Sequence, residues 1–137
     1  MAKQDKQKDL QQKYMELQVL DQQIRQIHQQ MQAVEQQAAE IEFINMTLDE
    51  LSKSKIDSET LVPLSSGIFV KAQLRDNKIV HVNVGGNTVV EKSIPDTKAM
   101  LDRQIIELRK MQEELTKQVA EANKKAEQKQ LELQSLM

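Results

Sequence analysis

The sequence predicts an α+β fold, a long antiparallel two-helix coiled coil with two β-hairpins at its base. Three observations carry this. All three glycines and both prolines lie between residues 61 and 95, and the stretches 8–54 and 96–137 contain neither. Both Gly- and Pro-free stretches carry a sustained heptad of apolar residues. Most β-branched residues fall in the segment between them. The chain therefore reads as one domain, 1–137, made of an N-terminal coiled-coil helix (8–54), a β-hairpin assembly region (61–92) and a C-terminal coiled-coil helix (94–137).

In the first helix Leu10, Leu17, Ile24, Met31, Ala38 and Asn45 recur every seven residues, and Lys13, Leu20, Ile27, Val34, Ile41 and Leu48 follow each by three. Only Lys13 and Asn45 break an otherwise apolar seam, and the positions between are mostly Gln, Glu, Asp and Lys. A polar residue such as Asn45 in a seam fixes register or partner at some cost in stability. Towards residue 51 the apolar set widens to Phe43, Ile44, Met46 and Leu51, which predicts packing against more than one neighbour.

The second helix repeats the design. Leu101, Leu108, Leu115, Ala122, Lys129 and Leu136 are interleaved with Ile105, Gln112, Val119, Ala126 and Leu133. Glu113–Lys117 and Glu121–Lys125 have the spacing of helix-surface ion pairs. Ser93 three residues before Asp96, with Pro95 in the first turn, marks the N-cap. Each helix should span about 65–70 Å at 1.5 Å per residue. Their equal lengths favour folding back on each other over pairing with another chain, so both ends of the chain meet at one tip.

Four short strands are readable at about 61–64, 68–74, 78–84 and 88–92. Val70, Ala72 and Leu74 share one face and Val80, Val82 and Val84 another. A three-residue loop, Arg75-Asp76-Asn77 with Asn77 left-handed, would bring the two sets together and pair Ala72 with Val80, Val70 with Val82 and Ile68 with Val84. Gly85-Gly86-Asn87 turns the chain into the last strand. Hairpins with an apolar face and open edges are unstable alone in water. The coil cannot cover that face, because its own seam is occupied. The physical expectation is oligomerisation through Val62, Leu64, Ile68, Val70, Leu74, Val80, Val82, Val84, Val89 and Val90.

Composition excludes several functions. Lys and Arg number 19 against 21 Asp and Glu, with no basic stripe of the kind a nucleic-acid interface needs. Without cysteine there is neither a disulfide framework nor a thiolate metal site, and the polar start Met1–Lys6 has no apolar signal core; together these point to the cytoplasm. No run is apolar enough for a membrane partner. His28 and His81 show no convergent ligands, so no metal is expected. Gly85-Gly86 lacks phosphate-loop spacing, and the carboxylates read as solvated coil faces. A thin two-helix coil gives acid–base chemistry no sheltered pocket. No cofactor and no catalytic residue are expected.

The tip is the more informative region. Leu10, Tyr14, Met15, Leu17 and Val19 come from one end of the chain and Leu131, Leu133, Leu136 and Met137 from the other. Tyr14, Met15, Val19 and Leu131 fall outside the seam. Flexible apolar side chains of this kind suit promiscuous binding.

The order Leu61-Val62-Pro63-Leu64, Gly67, Phe69-Val70, Ala72 and Leu74, then Val80, Val82, Val84-Gly85, then Val89-Val90-Glu91-Lys92-Ser93, set between two long helices, resembles the alpha class of prefoldin subunits, the archaeal members above all. The resemblance implies two hairpins where beta-class subunits carry one. It implies an oligomeric β-barrel platform, a hexamer of two alpha and four beta subunits, with six coiled coils projecting from it. It also implies ATP-independent capture of non-native protein clients at the coil tips and delivery to a group II chaperonin. Two other readings fit the sequence, a structural subunit of a prefoldin-like filament or scaffold and a coiled-coil adaptor for one folded partner.

Overall fold

A computed structural model describes residues 2–136. The order is α1 (Ala2–Lys53), β1 (Glu59–Ser65), β2 (Ile68–Gln73), β3 (Ile79–Gly85), β4 (Thr88–Ser93) and α2 (Ile94–Leu136). The first helix starts six residues before the expected residue 8, in a polar stretch where helix formers such as Ala, Lys and Gln suffice. Residues 1–38 with 107–137 form one compact unit, and residues 39–106 form a second.

In the first unit the two helices run antiparallel. Lys13 pairs with Glu132, Lys129 with Glu16 at 2.7 Å, and Arg109 with Glu35 at 3.9 Å, so partners on α2 recede as α1 advances. The buried residues are Val34, Ala38, Leu108, Leu115 and Ala122, all of them seam positions. Every other seam residue of this unit among those described is half-buried, and among the remaining positions only Glu16 is not exposed. The surface pairs expected at Glu113–Lys117 and Glu121–Lys125 are absent from the ion pairs of the described residues. Exposed side chains gain little from pairing along one helix, and two of the inter-helix bridges form where a lysine already sits in the seam.

The second unit begins with the same seam. Asn45 donates to Asp102 Oδ1 at 3.0 Å, and Lys98 pairs with Asp49. Leu48, Ile94 and Leu101 form a buried cluster, with Ile41, Leu51, Val80 and Met100 packed against it. Ser93 caps α2, its Oγ accepting from the Asp96 N–H at 3.2 Å, and Thr97 Oγ1 donates back to the Ser93 carbonyl at 2.8 Å.

The strands form two separate antiparallel hairpins, β1–β2 and β3–β4, where the sequence suggested that β2 and β3 pair. Val62 faces Val70, Thr60 faces Ala72, Val82 faces Val90 and Val80 faces Lys92. The expected pairs Ala72–Val80, Val70–Val82 and Ile68–Val84 do not form. Arg75-Asp76-Asn77 is not a hairpin loop, and Asn77 is not among the left-handed residues. Instead Asn77 Nδ2 donates to the Ser54 carbonyl at 3.0 Å, and Asp76 Oδ1 accepts from the N–H groups of Lys78 and Ile79. The link between β2 and β3 is thus tied to the end of α1, a contact 23 residues distant in sequence that strand alternation does not register.

Both true turns are two-residue loops preceded by a bulge. Gly86 (φ 59°) and Asn87 (φ 60°) supply the paired positive φ angles that such a turn requires, and the register shifts between Asn83 and Gly85. Ser66-Gly67 closes the first hairpin, with Gly67 at φ 80°.

Candidate functional site

Two surfaces stand out, one in each unit. The first lies where the outer ends of α1 and α2 meet. Tyr14, Met15 and Leu131 are 55%, 65% and 64% exposed, and Val19 is exposed beside them. Leu10, Leu17, Leu133 and Leu136 are half-buried in the seam, and Met137 lies outside the described residues. The nine residues expected at the tip therefore divide into exposed side chains and seam side chains, with Met137 unassigned.

A charged layer crosses this end of the coil. Lys13 and Lys129, the two charged interruptions of the heptads, each find a carboxylate on the facing helix, Glu132 and Glu16, and Lys129 also lies 3.9 Å from Glu132. The hydrogen bond and then the charge of Lys13 hold the Glu132 carboxyl below the ordinary range. The Glu16 hydrogen bond raises Lys129 above the ordinary lysine value against partial desolvation. The heptads identified both lysines as seam residues. They did not identify these partners, because partners depend on the stagger between helices, which neither heptad states.

The second surface is the pair of hairpins. On β3–β4 the face carrying Val80, Val82, Val90 and Lys92 is half-buried, with Val80 against the Leu48–Ile94–Leu101 cluster. The end of the coil therefore covers part of a face that the sequence left wholly uncovered, because Leu48 and Leu101 continue the seam beneath it. Val62, Leu64, Ile68, Val70, Val84 and Val89 remain exposed. Leu74 lies just beyond β2, half-buried, and extends the ladder by exchanging backbone bonds with Asp57 and Ser58. Leu61 and Phe69 are also exposed, on the reverse face of β1–β2. Reading a single apolar face hid them; with Pro63 they give the reverse face an apolar patch beside Lys71.

His81 does have a hairpin neighbour, contrary to the sequence reading. Its Nε2 lies 3.4 Å from Glu91 Oε1, a pair set by the β3–β4 register. His28 is exposed on α1.

The Prefoldin family model, described as prefoldin subunit, matches residues 20–137. This chain belongs to the prefoldin family. It is 30% identical over 129 residues to prefoldin subunit alpha of Pyrococcus horikoshii, covering 88% of this chain and 87% of that one. Prefoldin subunit alpha 1 of Methanocaldococcus jannaschii is 31% identical, over 88% of this chain and 77% of its own. Human prefoldin subunit 5 is 38% identical over half of this chain and 44% of its own length. Among solved structures, filamentous PFD from Methanocaldococcus jannaschii superimposes with a TM-score of 0.76 at 22% identity, over 84% of this chain and 95% of that one. The prefoldin beta subunit from Thermococcus strain KS-1 gives 0.64 at 21% identity, over 92% and 90%. Both share the fold of two long helices joined through small hairpins. Prefoldin membership makes this a chaperone-type subunit with other prefoldin subunits as its partners. No helix among the described residues is long and apolar enough to cross a membrane.

Proposed function

We propose that this chain is the alpha-type subunit of a cytoplasmic, ATP-independent holdase. It joins beta-class prefoldin subunits through its hairpins, two alpha to four beta, on a β-barrel platform. Its coil tips capture non-native proteins, limit their aggregation and pass them to a group II chaperonin. The observation that carries the tip role is the exposure of Tyr14, Met15, Val19 and Leu131 beside half-buried Leu10, Leu17, Leu133 and Leu136. A two-helix coil has no further layer to cover them, so they offer small apolar contacts without a shaped pocket. That suits clients that share exposed apolar side chains and little else. The assembly role rests on two separate hairpins, each with unpaired outer edges and exposed valines and leucines.

The test is suppression of aggregation of a denatured protein by the assembled complex, with and without residues 1–15 and 126–137. Loss of suppression on truncation, with the complex still assembled, supports tip capture. Full activity after truncation overturns it.

A second reading, a filament or scaffold subunit, is favoured by the open strand edges and by the likeness to filamentous PFD. Light scattering of the chain alone separates the two. A discrete small oligomer supports the chaperone subunit, and an open series of sizes supports the filament.

A further inference from the structure

The second unit carries an apolar surface that neither the tip nor the hairpins use. Phe43 and Met46 on α1 are 69% and 63% exposed, and Ile106 on α2 is 55% exposed. In the heptads set by Ala38–Asn45 and Leu101–Leu108, Phe43 and Met46 occupy the outer positions of α1, and Arg103 and Ile106 occupy the corresponding positions of α2. Each pair therefore points away from the partner helix, and the two pairs lie on opposite faces of the two-helix ribbon.

The two outer faces differ in charge. Between Arg25 and Lys53, α1 has five carboxylates and no Lys or Arg. Glu40, one turn before Phe43, makes no ion pair among the described residues, and neither does Arg103. The faces also match in height. Asn45 bonds Asp102, so Phe43, two residues before Asn45, is level with the position two residues beyond Asp102, in the Arg103–Ile106 turn.

We propose that this is a contact between copies of the chain, in which the α1 face of one coil packs on the α2 face of a second coil standing beside it at the same height. Phe43 and Met46 of one copy then meet Ile106 of the other. Arg103 lies over the Phe43 ring and within reach of Glu40, combining an apolar contact with cation–π and ion-pair attraction. Because the two faces differ, the contact is heterologous and repeats from copy to copy. It is too small to hold copies together alone. It acts where hairpin association has already set copies of the chain side by side, and so rests on the filament reading above.

The natural absence of cysteine makes the test direct. Full-length chains carrying Phe43→Cys alone and Ile106→Cys alone are purified, checked for unchanged far-UV helicity and native mass, mixed and oxidised. The expected main product is a disulfide joining position 43 of one chain to position 106 of another. Arg103→Glu in the second chain should cut its yield several-fold, and Glu40→Lys in the first should restore it. An oligomer that yields no 43–106 product, or mainly 43–43 product, overturns the contact while leaving hairpin assembly intact. A monomeric chain overturns both. A position-43 cross-link that forms only to an added beta-class subunit overturns the choice of a second copy.

Discussion

The seam is decided one residue at a time, and two of its residues are lysines. Lys13 and Lys129 are tolerated because Glu132 and Glu16 neutralise them across the coil. This gives the tip a pH dependence of defined sign. Glu132 titrates lower in the folded chain than in the unfolded one, so its contribution is present above the ordinary carboxylate range and is lost as pH falls through the lowered folded value. Asp49, lowered first by its bond from Lys98, behaves alike in the second unit. Lys129 titrates higher when folded, so its contribution is whole below the ordinary lysine value and is lost as pH rises through the raised one. Thermal melts followed by circular dichroism should show both limbs. Glu132→Gln should flatten the acid limb, and Glu16→Gln the alkaline one. Both effects should be small, since these side chains keep part of their solvent contact. At this scale the sequence was highly legible. Period-seven spacing placed each seam residue from Leu10 to Leu136 on a buried or half-buried face. It was silent on partners because each heptad defines its own helix and not the stagger between two.

At the scale of the element, the base of the coil is held by few side chains. Leu101 is buried among Leu48 and Ile94, with Val80 of β3 against them. Leu101→Ala removes contacts to both helices and to the hairpin, and should cost roughly 2–5 kcal/mol in denaturant unfolding. Gln104→Ala, three residues on and exposed, should stay within about 0.5 kcal/mol. The four strands were visible from β-branched content and turn residues, but their pairing was not. Asp76-Asn77 and Gly86-Asn87 are both turn signals, and the alternation in β2 and β3 is compatible with either partner. What decides the pairing is the bond from Asn77 to the Ser54 carbonyl and the two positive φ angles at Gly86 and Asn87. The first is a tertiary contact that no local pattern encodes. Reading one apolar face per hairpin concealed Leu61 and Phe69, and the His81–Glu91 pair went unread although the turn at Gly85-Gly86-Asn87 implies it.

The whole molecule is legible as an incomplete one. Two-stranded hairpins with exposed Val62, Val70, Val84 and Val89 need a partner surface. Val70→Lys together with Val89→Lys, one change on each hairpin, should lower the native mass of the assembly and leave far-UV helicity unchanged, because neither residue touches the coil cluster. An unchanged mass would place assembly elsewhere on the chain. A base that associates and a tip that binds would divide the work of the chain between its two ends. This division is tested most directly by photo-cross-linking within the complete complex, with a photoreactive residue at Tyr14, Met15 or Leu131, or at Ala33 midway along α1, in the presence of a denatured protein. Adducts are expected from the three tip positions and none from Ala33. Adducts from Ala33 as abundant as those from the tip, or none from the tip, would contradict this division.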